Sequence, residues 1–511
     1  MSVFFEAINR FFEFIVPIAD FLWEFPTNFK WYANIPILGN FTFAIIILMG
    51  AGIYFTIRTR FVQITGFKKG LKILVRSRTT ETGITPLASF LLSSAMRVGP
   101  GNIMGVTGAI SIGGPGALFW MWVSAFFGMS TAFAEAVLAQ IFKEKKGNEY
   151  VGGLPFYGQK ILGDKRFVGV ILSLVFMMYA LFSIPGQTFH LFTSFGSIAD
   201  TIFGTTFGRQ STVYYCIAIF LVVSVAFTVL GGIRRVSAVT DVLVPIMAVI
   251  YTIIVLLIIL SNLDKIPYFF KEVFGGAFKP NALFGGAFGV ALAQGIKRGL
   301  MSNEAGQGTI TIAAAVAENK HPVEQGFVQS IGVFLDTMVI CSMTGFLIVM
   351  AHVWTGTAGV AWETIKASKL TVYLSSIQYL VPGTALDGAA TVIVSLCYGL
   401  FAFTTLVGLI LFAEVSGNLI SRSKKFITGI RMLGAFFFVP FGALTVLAGL
   451  ELGNLWYISD FVNIVVVYVN VPILLIGSGL VIKALKNYYE TEASEAKFVS
   501  KSIGVDSEVW K

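Results

Sequence analysis

An apolar stretch long enough to cross a bilayer, residues 84–113, carries Gly99-Pro100-Gly101 in its middle. A spanning segment must satisfy its own backbone N–H and C=O groups, and an unbroken helix does this. Proline removes a donor and clashes with the preceding turn, and glycine weakens a helix, so this segment cannot be one straight rod. The groups freed at that depth must meet protein, water or a ligand. A second stretch, 284–317, is interrupted in the same way at Asn303-Glu304-Ala305-Gly306-Gln307-Gly308. Two paired interruptions at membrane depth read as a binding device rather than two defects.

The rest of the chain is built to carry them. Of its 511 residues, 56% are hydrophobic and 12% charged, about half the charge of an average globular chain. With a mean hydropathy of +0.81 this is an all-α, polytopic membrane protein. Its net charge of +9 does not indicate nucleic acid, because the basic residues cluster between apolar spans. Cys216, Cys341 and Cys397 fall in apolar runs without motif spacing and read as small buried side chains. His190, His321 and His352 are scattered and suggest no site. No phosphate loop points to ATP, and no nucleophile–base or metal set points to an enzyme.

Eleven spans are predicted: 35–57, 84–113 (broken), 116–142, 167–190, 212–230, 239–261, 284–317 (broken), 327–352, 386–414, 428–450 and 459–482. Before them, Phe4, Phe5, Ile8, Phe11, Phe12 and Ile15 recur at helical spacing opposite Glu6, Asn9, Arg10 and Glu13. That is an amphipathic interfacial helix. With the N-terminus outside, 25 of the 36 Lys and Arg residues fall in cytoplasmic segments and 8 in external ones, which places the C-terminus in the cytoplasm. The divisions follow: 1–30 interfacial helix, 31–83 extra span with a basic loop, 84–261 and 262–483 repeats, 484–511 tail. The two sets of five spans begin on opposite sides, each with its broken helix, as inverted repeats do.

At each break, half-helix N-termini offer N–H groups to a carboxylate, while half-helix C-termini offer carbonyls to a cation. The candidate substrate contacts are Gly99, Gly101 and Asn102 at the first break and Asn303, Gly306 and Gly308 at the second, with Asn102 and Asn303 also fitting helix–helix hydrogen bonds. Gln187, after Ser183-Ile184-Pro185-Gly186 near the outer end of its span, fits a substrate contact or a helix–helix hydrogen bond. Arg97, Arg298, Glu135, Glu304, Asp336 and Glu414 lie within spans, where charge is expensive; they fit structural pairing or gating.

Arg97-Val98-Gly99, Gly113-Gly114-Pro115-Gly116-Ala117-Leu118-Phe119-Trp120, Phe133-Ala134-Glu135, Gly231-Gly232-Ile233-Arg234-Arg235 and Arg298-Gly299-Leu300-Met301-Ser302-Asn303-Glu304-Ala305-Gly306 occur in this order. Pro322-Val323-Glu324-Gln325-Gly326, Phe334-Leu335-Asp336-Thr337 and Leu400-Phe401-Ala402-Phe403-Thr404-Thr405 follow. Together they resemble the alanine/glycine:cation symporter family over about residues 80–480. The resemblance implies a leucine-transporter-like fold and Na+-coupled inward movement of a small neutral amino acid across the cell membrane. It also implies a Na+ site made by the carbonyls of Ala95 and Val98 with the hydroxyls of Thr404 and Thr405, an oxygen-only set suited to a hard cation. Two adjacent threonines also fit back-bonding to their own helix. Pro100 stands where the family has threonine, Leu409-Ile410-Leu411-Phe412 replaces its aromatic pair, and Leu154-Pro155-Phe156-Tyr157 replaces its Met-Tyr-Tyr. These departures leave the alanine or glycine preference open; the alternative within the class is a symporter of the same fold with another substrate or H+ coupling. A channel, the alternative class, would need a ring of acids that the sequence lacks.

Overall fold

The computed structural model describes all residues except 1–6, 8, 9, 11, 77–79, 81, 279–287, 353–368, 384, 449–453 and 495–497. Phe4, Phe5, Glu6, Ile8, Asn9 and Phe11 of the amphipathic pattern, Arg78 and the first residues of span 284–317 therefore lie outside the described residues.

Apolar runs with few charges become helices that close their backbone hydrogen bonds internally. Among the described residues, eight are long and apolar enough to cross a membrane: Gly116–Ile141, Arg166–Phe203, Thr212–Val229, Gly232–Leu260, Pro322–Met350, Asp387–Ile420, Lys424–Leu447 and Ile458–Ile476. Phe43–Arg58 is a shorter apolar helix. It starts later than the predicted 35–57, because Pro36, a positive φ at Ile37 and a 3-10 turn at Leu38–Asn40 precede it, and Thr42 caps it by accepting from Ile45 N–H. Outward faces are greasy. Ile219, Phe220, Val223 and Phe227 are exposed on one helix and Val242, Ile246, Val249, Ile253 and Leu257 on the next, a surface only hydrocarbon would cover comfortably.

The helices that hold the site are numbered here as α1 Pro86–Arg97, α2 Gly101–Gly113, α3 Gly116–Ile141, α4 Ile184–Phe203, α5 Phe288–Asn303, α6 Ile310–Ala315, α7 Pro322–Val333, α8 Ala385–Ile420 and α9 Asn454–Ile476. α1 and α2 are the halves of the first broken span, and α5 and α6 those of the second. α3 packs against α5, α6 and α7 and is fully buried over its second half. The glycine-rich 113–116 turns sharply, with Gly114 at φ +75 and Pro115 leading into α3. It must be tight: a Cβ on Gly116 would stand 2.1 Å from the Gly276 backbone.

Two expectations are corrected. The predicted 167–190 span continues to Phe203, because Pro185 occupies the start of a new helical segment and kinks the rod at Ser183 instead of ending it. Gln187 thereby sits in the first turn of the second segment, near the middle of the 166–203 rod. Cys216 is exposed on the apolar surface, while Cys341 and Cys397 are buried. Glu414 is paired, as one of its two expected readings has it: Arg431 donates to it through Nε at 2.8 Å and Nη2 at 2.5 Å.

The C-terminal segment folds back on the protein. Trp510 is buried and its indole donates to the Gln140 carbonyl at 2.7 Å, just before the end of α3. The Lys143 ammonium sits 4.0 Å from the Tyr150 ring and 4.8 Å from the Trp510 ring and donates to the Ala317 carbonyl at 2.6 Å. His321 accepts from Val323 N–H on Nδ1 and so carries its proton on Nε2, facing the Asn487 side-chain Oδ1 at 3.2 Å. Burial pushes its pKa down to about 4.

Candidate functional site

At the first break α1 stops at Arg97 and α2 begins at Gly101, with Val98 turned out of the helix at φ −75, ψ 81. Gly99 N–H turns onto the Arg97 carbonyl and the Asn102 Oδ1, both at 2.8 Å. The carbonyls of Ala95 and Val98 therefore receive no backbone N–H among the described residues. The Thr405 hydroxyl lies 3.0 Å and the Thr404 hydroxyl 3.5 Å from the Ala95 carbonyl oxygen. Each also reaches the Phe401 carbonyl, at 2.9 and 3.1 Å. One hydroxyl proton serves one acceptor at a time, which leaves oxygen lone pairs over for a cation. Gly99 has to be glycine here, since a Cβ would come 2.9 Å from the Thr405 hydroxyl oxygen. At the other lip of the break, Pro100 has no N–H, and the Gly101 N–H has no partner among the described residues.

The second break is a run of left-handed residues, Glu304 at φ +58, Gly306 at +88 and Gly308 at +76. Such alternation aims successive N–H groups into one anion-binding hollow. A carboxylate already fills it. Glu135, fully buried on α3, accepts from Gly306 N–H at 3.1 Å, Gly308 N–H at 2.8 Å and Asn470 Nδ2 at 2.7 Å. Asn470 in turn accepts from the Tyr157 hydroxyl and donates to the Gly306 carbonyl at 2.9 Å.

Two more buried groups tie the breaks together. Arg97 donates through Nε to the Asn303 carbonyl at 3.2 Å and through Nη1 to Gln329 at 3.1 Å. Asp336 accepts from Asn102 at 2.6 Å, Ser302 at 3.0 Å and Thr337 at 2.8 Å. It does so from the widened π-helical turn Phe334–Cys341, a local unwinding that recurs at functional sites.

Between the breaks lies a cavity of about 440 Å³, walled by the start of α2, by α4, the end of α5, α8 and α9. Of the residues expected at the site, Gly99, Gly101, Gln187 and Thr405 line it. Ala95, Val98 and Thr404 are buried behind that wall, with the Thr404 hydroxyl at the Ala95 carbonyl. Asn102, Asn303, Gly306 and Gly308 are not among the lining residues. Asn102 spends its amide on Gly99 and Asp336, Asn303 spends its own on Ala305 N–H and Thr337, and the two glycines spend their N–H groups on Glu135. Their polar groups are turned from the cavity. Sequence reasoning missed His190, which lines the cavity one turn after Gln187, on the same face at i, i+3. It also missed Asn470, one of two amides, with Asn463, in a mostly apolar span.

Two facing broken helices around one polar cavity, inside a bundle of membrane-length helices, define a secondary transporter fold. A crystal structure of MhsT in complex with L-phenylalanine shares that fold, with a TM-score of 0.58 over 80% of this chain and 93% of that one at 13% identity. The family model of the sodium:alanine symporter family matches residues 29–502. The "Amino-acid carrier protein AlsT" of Bacillus subtilis (strain 168) is 32% identical over 94% of this chain and 97% of its own. The "Sodium/alanine symporter AgcS" of Methanococcus maripaludis is 35% identical over 89% and 96%. The chain belongs to the sodium:alanine symporter family: it is a multi-pass membrane protein and a sodium-coupled amino acid symporter, not an enzyme.

Proposed function

We propose that this chain carries a small neutral amino acid, alanine or glycine among them, into the cell with Na+ by alternating access. In this reading Na+ is a cotransported substrate, held by the carbonyls of Ala95 and Val98 and the hydroxyls of Thr404 and Thr405. The amino acid's carboxylate takes the unpartnered Gly101 N–H at the positive end of α2. Gly99 lets the two sites touch, and Gln187 meets the substrate across the cavity. The observation that carries the reading is the pair of threonine hydroxyls on the Ala95 carbonyl, beside a cavity that opens at the same helix break.

The same proposal assigns eleven spans to the cell membrane, with inverted repeats at 84–261 and 262–483. Segment 1–30 lies at the interface, 31–83 adds a leading span and basic loop, and 484–511 is cytoplasmic beneath an external N-terminus. The basic-residue bias supports that orientation. Binding of radiolabelled alanine to the purified protein tests the function. Saturable binding is expected in Na+ and a large loss in choline; equal binding in both would remove the Na+ coupling, and binding that follows pH instead would assign it to H+.

A further inference from the structure

We infer that Trp510 is a positioning residue for transport: with segment 498–511 it latches shut the joint between α1 and α6, which must open under the alternating-access reading above.

Half-helices α1 and α6 seal one side of the cavity. None of its lining residues comes from α6 or from α1 before Met96. The two are zipped together along their length. The Ser89 hydroxyl donates to the Ala313 carbonyl at 2.7 Å. Beyond the helix ends, Ile84 N–H donates to the Val316 carbonyl at 3.1 Å, and Glu318 N–H donates to the Ile84 carbonyl at 2.8 Å. A carrier that binds on one face and releases on the other has to part such a zipper once in each cycle.

The end of α3 bolts the zipper. The Gln140 amide donates to the Ala317 carbonyl at 3.0 Å, and the Lys143 ammonium donates to the same oxygen at 2.6 Å. Segment 498–511 in turn holds α3. The Trp510 indole donates to the Gln140 carbonyl at 2.7 Å, and its ring packs edge-on against Phe498 at 5.4 Å. Phe498 reaches His321, which caps α7, at 4.5 Å between rings. The Ser500 N–H and hydroxyl both donate to the Trp510 carbonyl, at 2.9 and 3.0 Å, and close the segment on itself. Phe498, Ser500, Ile503 and Trp510 are all buried. A tail frays unless something ties it down. This one is tied at the joint. An indole suits the place, because its broad ring covers the Lys143 ammonium while its single donor satisfies the Gln140 carbonyl. Contacts made only while the joint is closed favour the closed state, and losing them raises the open fraction.

The test is the rate at which a water-soluble maleimide labels the purified protein in detergent, in a Cys216→Ala background. Ser89→Cys places a thiol inside the zipper, and Ser459→Cys places one on the cavity wall. The background without either cysteine gives the blank for buried Cys341 and Cys397. Trp510→Ala is expected to speed labelling at Ser89→Cys on the order of tenfold, for the loss of ring packing and one hydrogen bond. It should not speed labelling at Ser459→Cys. Trp510→Phe keeps a ring and loses the donor, so it should fall between. Removal of residues 498–511 should match or exceed Trp510→Ala. Unchanged labelling at Ser89→Cys would overturn the inference, and so would equal acceleration at both sites, which marks general loosening. Alanine uptake by the parent judges the transport reading separately. Its absence overturns both, whereas uptake with unchanged labelling overturns the latch alone.

Discussion

Replacing Glu135 by alanine is expected to abolish uptake and to destabilise the protein by about 3 kcal/mol or more. The carboxylate satisfies two backbone N–H groups and the Asn470 amide at membrane depth. No water competes there, and each buried donor left without a partner costs on the order of 1–3 kcal/mol. Gly306 and Gly308 hold left-handed conformations that the carboxylate helps to fix, so the second break would lose its shape along with its anion. Glu135→Gln should fall between the two, because an amide has one acceptor oxygen where the carboxylate has two. Melting temperature and initial uptake, measured on the same preparations, check this. Wild-type uptake by Glu135→Ala would show that the hollow tolerates its loss and that the second break is held by other means.

The next largest effect falls on the cation. Thr405→Ala is expected to raise the Na+ concentration for half-maximal uptake ten- to a hundredfold, as the loss of one buried polar contact of ~1–3 kcal/mol implies. Thr404→Ala should act in the same direction and less strongly, since its hydroxyl lies farther from the Ala95 carbonyl, 3.5 against 3.0 Å. Thr405→Ser keeps the oxygen and should restore most of the Na+ affinity. That rescue separates a ligand from a packing contact. Na+ dependence unchanged in both alanine variants would rule the threonines out as ligands.

Much of this architecture was legible because its signals are local. Gly99-Pro100-Gly101 cannot continue a helix, and apolar runs of membrane length cannot be much else. Both breaks occur where the residues put them, Val98 to Pro100 and Glu304 to Thr309. The length of the fourth span was not legible, because Pro185 reads equally as a stop or a kink until packing decides. The site was harder. Its threonines are far from Ala95 in sequence, and only the family resemblance paired them. The donors at the second break point to an anion site by their type alone. That the anion is the protein's own Glu135, some 170 residues away, depends on the packing of α3 and has no local signature. Asn102 and Asn303 were assigned to substrate for their position, but position along a helix does not fix direction around it.

The central claim is coupling, and accumulation tests it most directly. Proteoliposomes holding the purified protein, given labelled alanine outside and an inward Na+ gradient, should concentrate alanine above the external level. They should then lose it when an ionophore collapses the gradient. Uptake that stops at equal concentrations, whatever the Na+ gradient, would make the protein a passive pathway and contradict the account.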